Sequence, residues 1–176
     1  MSRIFLRKLD INDTDNIVRW RNLPSVRKNL YTQCELTKEQ HIYYYNNVVK
    51  EGKCVQYIIV VEDGDKTDIG TIFIKNIDEH SKDGEFGMFI GEEKARGKGY
   101  AKFAINAILE VAFNELFLNR VYLSVMADNI YAIQAYKKCG FNVEGIQKGA
   151  YLKEDAYVDI ILMDIDKERW NARPFL

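Results

Sequence analysis

Two short stretches of the chain hold residue types and spacings that could do chemistry. The first is Ala95-Arg-Gly-Lys-Gly-Tyr-Ala101, placed where a strand pattern gives way to a helix pattern. Its two glycines let the backbone come close to a ligand. The free N–H groups of a new helix, at the positive end of its dipole, favour a phosphate or pyrophosphate there. Arg96 and Lys98 add positive charge beside it. The stretch is not a Walker A loop: five residues rather than four separate Gly91 from Gly97, and Gly99 follows Lys98 where Ser or Thr is required. Nor is it a dinucleotide fingerprint, because the third glycine would fall on Lys102. A glycine-capped surface loop is the plainer alternative. The second stretch runs from Asn129 through Ala132, Ile133 and Tyr136 to Gly140-Phe141. Asn129 and Tyr136 are seven residues apart, so on a helix they share a face at about 10 Å along the axis. Read singly, Asn129 could be a helix cap and Tyr136 a core aromatic.

The elements that must carry these residues follow from pattern. Ile4, Phe5, Leu6 and Leu9 predict a first strand. Asn12-Asp-Thr14 opens a helix continued by Ile17, Val18, Trp20 and Arg21, and Leu23-Pro24 breaks it. Thr37-Lys-Glu-Gln40 is a capping box for a second helix reaching about Val49. A β-branched run over residues 55–62 turns at Asp63-Gly-Asp65 and returns over 69–77 as a hairpin, and 85–91 is a further strand. Tyr100, Phe103, Ala104, Ala107, Ile108, Val111 and Ala112 mark one apolar helix face. A strand over 121–126, a helix from Asn129 to Gly140, and a last apolar strand over 158–165 complete the chain. The order predicts a single domain over residues 1–176, an α/β layered fold. It has a mixed, mostly antiparallel sheet of about six or seven strands and about four helices.

Composition narrows the class. The 176 residues carry a formal net charge of −1, which excludes a strongly basic nucleic-acid binder, and 12% aromatics exclude disorder. Pro24 and Pro174 are the only prolines, so little interrupts regular structure between them. No apolar run is long enough for a membrane span, and the first ten residues have no signal-peptide pattern. Cys34, Cys54 and Cys139 form neither a CxxC pair nor a disulfide framework, as expected of reduced thiols in a cytoplasmic protein. His41 and His80 lack metal-ligand spacing, so no metal is expected. Cys139 has no histidine near it in sequence and reads as a packed thiol.

Taken together, Arg96, Gly99 and Ala101, followed by Asn129, Ala132, Ile133, Tyr136, Gly140 and Phe141, resemble the GNAT superfamily of acetyl-CoA-dependent N-acetyltransferases. The resemblance spans about residues 3–165. It implies a sheet splayed at the cofactor site, with the backbone of Met88, Phe89 and Ile90 pairing with the pantetheine arm. It implies that Arg96, Gly97, Lys98, Gly99, Tyr100 and Ala101 hold the pyrophosphate through backbone N–H groups, and that Asn129 contacts the pantetheine. Acetyl-CoA is then the cosubstrate and an amine the acceptor. Tyr136 would be the acid that protonates the leaving thiolate, and Glu85 the candidate base, acting through water; as a strand residue it could also simply face solvent. Val143-Glu-Gly145 and residues 151–163 resemble the branch containing ribosomal-protein and spermidine acetyltransferases.

The N-terminal third points to the acceptor. Trp20-Arg-Asn22, Arg27, Tyr31 and His41 resemble the UDP-amino-sugar N-acetyltransferases of the pseudaminic-acid pathway. On that resemblance Arg21 and Arg27 would bind nucleotide phosphates, Trp20 or Tyr31 would stack on sugar or uracil, and His41 would contact a hydroxyl, with Asn22 alongside. The ordinary alternatives are a core Trp20 and solvated arginines. A protein N-terminal α-amine and a polyamine remain open as acceptors, although the early helices offer only Asp13, Asp15, Glu35 and Glu39 as carboxylates. A non-catalytic acyl-CoA-binding module would be expected to lack the tyrosine that is present at 136. No nucleic acid or membrane partner is expected, and the resemblance leaves room for a homodimer.

Overall fold

A computed structural model of the protein describes residues 3–173. Pro174, with the two residues after it, and the two N-terminal residues lie outside the described residues. Strand β1 (Arg3–Lys8) leads through a turn capped by Asp10 into α1 (Thr14–Asn22). Pro24 ends α1 as expected but also starts a helix. Leu23 is extended, and Pro24 then occupies the first turn of a single-turn α2 (Pro24–Arg27), where a missing N–H costs nothing. The Thr37–Gln40 capping box opens α3 (Lys38–Tyr44), which widens into a π turn over Tyr45–Val49.

Strands β2 (Cys54–Asp63), β3 (Asp65–Asp78) and β4 (Asp83–Ile90) form an antiparallel meander. Helix α4 (Tyr100–Glu110), continued by a wide turn over Val111–Glu115, carries the chain to β5 (Arg120–Met126). Then follow α5 (Ile130–Lys138), the strands β6 (Asn142–Lys153) and β7 (Ala156–Asp166), and a short α6 (Lys167–Asn171). The seven strands make one sheet in the order β1-β2-β3-β4-β5-β7-β6, antiparallel except at β4–β5.

Alternation along β2 shows how the sheet is sandwiched. Tyr57, Ile59 and Val61 point into one apolar cluster, with Ala104, Ile105 and Ile108 of α4 and Ile133 and Tyr136 of α5. Ile58 and Val60 point the other way, onto Ile17 and Trp20 of α1. Both faces of the central strands are covered, so a near-continuous apolar run is what β2 requires. Arg7 pins this layering on the α1 side: it donates to both oxygens of Asp13 at 2.7 and 2.8 Å and to Asp68 at 2.5 Å. Burial pushes the Asp13 carboxyl up, but the hydrogen bonds from Arg7 and the Asp10 backbone hold it below the usual carboxylate range.

Candidate active site

The parallel pair is very short. β4 and β5 pair at Asp83–Arg120, Gly84–Val121 and Glu85–Tyr122, and there the pairing ends. Beyond it β4 stays on β3 as far as Ile90, while β5 stays on β7. The strands therefore part, and one edge of the β4 main chain over residues 86–90 faces a notch. Met88 and Ile90 pack toward the α4 side and Phe89 toward Trp20, all half-buried, so alternate side chains anchor the strand and leave one edge of its main chain unpaired.

Helices α4 and α5 start near this notch. Gly99 caps α4 with φ +80° and no side-chain bond to the helix, and Gly97 also has positive φ, with open space where a Cβ would go. The first N–H groups of an eleven-residue helix are thus presented without a capping side chain. Lys98 is exposed, and Tyr100 and Ala101 pack on the core. Arg96 turns inward instead of outward: its Nε donates to the Ile90 carbonyl at 3.0 Å. Asn129 caps α5 by accepting from Ala132 N–H at 3.4 Å, the plain capping role that its type allows.

Tyr136 is buried and meets Phe86 edge to face at 5.5 Å, with Phe141 at 5.9 Å. Burial holds its phenol protonated well above the ordinary tyrosine range, and the phenol of Tyr31 adds to this. Beside the parting strands lies a cleft of about 480 Å³ lined by Tyr31, Glu85, Tyr122, Ser124, Glu144 and Tyr151 among others. Glu85 receives the Asn76 amide at 2.7 Å and sits 3.3 Å from the Lys75 ammonium. Glu144 pairs with Arg120 at 2.6 Å.

A family model described as "Acetyltransferase (GNAT) domain" matches residues 3–142. The chain belongs to the GNAT acetyltransferase family. A GNAT enzyme of this kind is an acetyl-CoA-dependent N-acyltransferase, and the notch and open helix start fit CoA without a metal. Among the described residues no cluster could hold a metal ion and no helix is long and apolar enough to cross a membrane. The spermidine N(1)-acetyltransferase of Vibrio cholerae is 33% identical over 114 residues, 65% of each chain. The crystal structure of the Vibrio cholerae spermidine N-acetyltransferase in complex with CoA and spermine aligns with a TM-score of 0.88. It is 26% identical and covers 96% of this chain and 98% of that one. A dodecameric structure of the Vibrio cholerae enzyme aligns at 0.82, with 25% identity and 98% coverage of both chains. Acetyltransferase PseH of Campylobacter jejuni is a more distant relative, 26% identical over 144 residues, 82% of this chain and 86% of that one. The spermidine half of the expected branch is thus represented among these relatives.

Within this GNAT frame the N-terminal residues scatter. Trp20 is 0% exposed, packed against Gly91, with its indole N–H on Glu92 at 2.7 Å. It offers no open ring face. His41 is 2% exposed and bonded through Nδ1 to Thr14 Oγ1 at 3.0 Å, between α1 and α3, away from the cleft lining. Asn22 is spent on both the N–H and the carbonyl of Leu36. Arg21 holds the Thr32 carbonyl, and Arg27 lies 3.5 Å from Glu35. Burial first, and the charge of Arg27 second, weaken Arg21's hold on its proton, so the two guanidiniums are neighbours that remain charged. Tyr31 alone of this group reaches the cleft, which Ser124 also lines. Tyr122 and Ser124 lie two apart on β5, opposite in phase to Val121, Leu123 and Val125. That period-two pattern was available in the sequence. Tyr151 and Glu144 carry no such signal.

Proposed function

We propose that the protein transfers an acetyl group from acetyl-CoA to a primary amine of a small cationic, aliphatic acceptor of the polyamine class, bound in the cleft between Glu85 and Tyr151. The observation that carries this is the lining: the phenols of Tyr31, Tyr122 and Tyr151 stand beside Leu123, Ile160 and Leu162, and Glu85 and Glu144 bring carboxylates paired with Lys75 and Arg120, while Arg21 and Arg27 lie outside the lining. Ring faces and apolar side chains with carboxylates at hand suit an alkylammonium; a lining without an arginine leaves little for a diphosphate. The likeness to spermidine acetyltransferases supports the same acceptor class.

In this reading the main chain of Met88, Phe89 and Ile90 pairs with the pantetheine arm, and residues 96–101 present N–H groups to the pyrophosphate. Asn129, fixed as a cap, stands beside the arm. Glu85, through water, takes a proton from the ammonium. The neutral nitrogen forms the new C–N bond, the C–S bond breaks, and Tyr136 gives its proton to the leaving sulfur; the proton that the nitrogen sheds as the amide forms passes through water to restore the phenol. A phenol kept protonated by burial suits that role. Holding thioester and amine in line supplies a further large part of the rate.

A nucleotide-linked amino sugar is the second reading. The nearness of Arg21 to Arg27 and the relationship to PseH favour it. Self-association is supported by the dodecameric Vibrio cholerae structure. An acceptor screen with acetyl-CoA, following free thiol release, decides among spermidine, spermine, UDP-amino sugars and N-terminal peptides. Turnover with polyamines is the expected result. Turnover confined to UDP-amino sugars would replace this acceptor with the second reading, and none with any amine would return the chain to a non-catalytic acyl-CoA-binding module.

A further inference from the structure

The cleft is closed on one side by two tyrosines far apart in sequence. Tyr151 Oη donates to the Tyr31 carbonyl at 2.6 Å, across a separation of 120 residues. Their rings meet edge to face, 5.4 Å apart at 77°. Tyr31 belongs to residues 28–37, a stretch with neither helix nor strand. Arg21, Asn22 and Gln33 tie that stretch to its own flanks. Tyr151 ties it to the sheet.

The placing of Tyr151 is itself built. The β6–β7 register slips between Gln147 and Tyr151, so residues 148–150 bulge from the ladder. Gly149 takes φ +56° there, and its N–H donates to the Asp159 carboxylate at 2.8 Å. A bulge re-aims the side chains that follow it. Here it delivers a phenol to a carbonyl on the opposite wall of the cleft.

We infer that Tyr151 is a positioning residue for the acceptor: by holding the Tyr31 carbonyl and meeting its ring edge to face it fixes Tyr31 in the wall of the cleft and so sets which amines the cleft admits. Asp159 supports it by fixing the bulge. This rests on the proposed placement of the acceptor in the cleft.

The test is Tyr151→Phe, which keeps the ring and removes the donor. Loss of one neutral hydrogen bond should speed amide exchange over residues 28–37 by about 5-fold and raise the KM for spermidine by about 5-fold. The kcat and the KM for acetyl-CoA should stay within about 2-fold. Asp159→Ala should repeat the pattern. Unchanged exchange with unchanged KM overturns the inference, as does a loss of kcat with KM unmoved. Ala150→Trp fills the cleft from the exposed bulge and tests the reading underneath. If the spermidine KM is unmoved in that variant, the acceptor sits elsewhere and the proposed function fails. If it rises there while Tyr151→Phe is silent, only the positioning role fails.

Discussion

The cofactor half and the N-terminal third of the molecule are built by different means. Around the notch the exposed surface is main chain: an unpaired edge of β4 and the uncapped start of α4, with α5 beginning under the Asn129 cap. Side chains there serve as anchors, caps or, at Gly97 and Gly99, are absent. In the N-terminal third the reverse holds. Side chains hold main chain, as Arg21 holds Thr32, Asn22 holds Leu36 and Tyr151 holds Tyr31. A main-chain surface binds one ligand in one way and changes little with side-chain substitution. A loop held by side chains can be re-aimed by changing one of them. On the proposed function, the acetyl-CoA chemistry would belong to the first region and the choice of amine to the second.

The contrast is challenged most strongly at Trp20. If it is a structural keystone, Trp20→Ala should cost about 3–5 kcal/mol in denaturant unfolding. A cost below about 1 kcal/mol would mean the ring is free to serve a ligand. Tyr136→Phe removes one hydroxyl and keeps the edge contact with Phe86. It should lower kcat by about 100-fold, worth about 2.7 kcal/mol, with acetyl-CoA affinity unchanged. Turnover within a few-fold of the parent would make Tyr136 a packing residue. Gly99→Val forces a β-branched residue to φ +80° at the start of α4. It should weaken acetyl-CoA by about 10-fold and shrink the ligand-dependent rise in Tm. An undiminished rise would place the pyrophosphate elsewhere.

The smallest effect is a pH dependence at His41. Burial lowers its proton affinity, outweighing the attraction of Asp13, and its Nε2 has no partner among the described residues. Thr14 Oγ1 donates to the Ile11 carbonyl, so Nδ1 must be the donor to Thr14 and the ring is neutral. The unfolded chain then binds the proton more tightly, and stability falls as pH drops below about 6.5, by at most about 1.4 kcal/mol per unit. Denaturant midpoints at pH 7.5 and 5.5 should differ more for the parent than for His41→Leu. An equal difference would take His41 out of the pH response.

What was legible in the sequence follows the same division. The α4 face, the Gly97 and Gly99 turn, the Asn129 cap and the seven-residue spacing to Tyr136 were readable because backbone conformation restricts residue type at those places. Trp20 and His41 were ambiguous because an aromatic or imidazole serves a core and a ligand equally well, and only burial separates the two. β6 escaped because its bulge at residues 148–150 breaks the alternation that marks a strand. α6 escaped because five residues are too few for a helical period to show. Of the carboxylates in the cleft, Glu85 was named through the family resemblance, while Glu144 escaped because it meets Glu85 only through the sheet order, 59 residues away in sequence.

Arg96 has a consequence for the thermodynamics of the loop that it opens. A segment with two glycines loses more conformational freedom on ordering than almost any other, at about 1–2 kcal/mol per residue for the backbone alone. Its guanidinium, bound to the Ile90 carbonyl, closes residues 90–96 into a ring of the protein's own making. That part of the ordering is charged to folding and not to the encounter with a ligand. The positive group is also turned away from solvent-facing use, so a phosphate arriving at α4 meets N–H dipoles more than a mobile charge. Dipoles that are fixed and close are screened by salt far less than a distant ion. An anion bound there, as the proposed function has it, would feel the shape of the loop together with the exposed charge of Lys98, and only the second part of its affinity would fall steeply with salt.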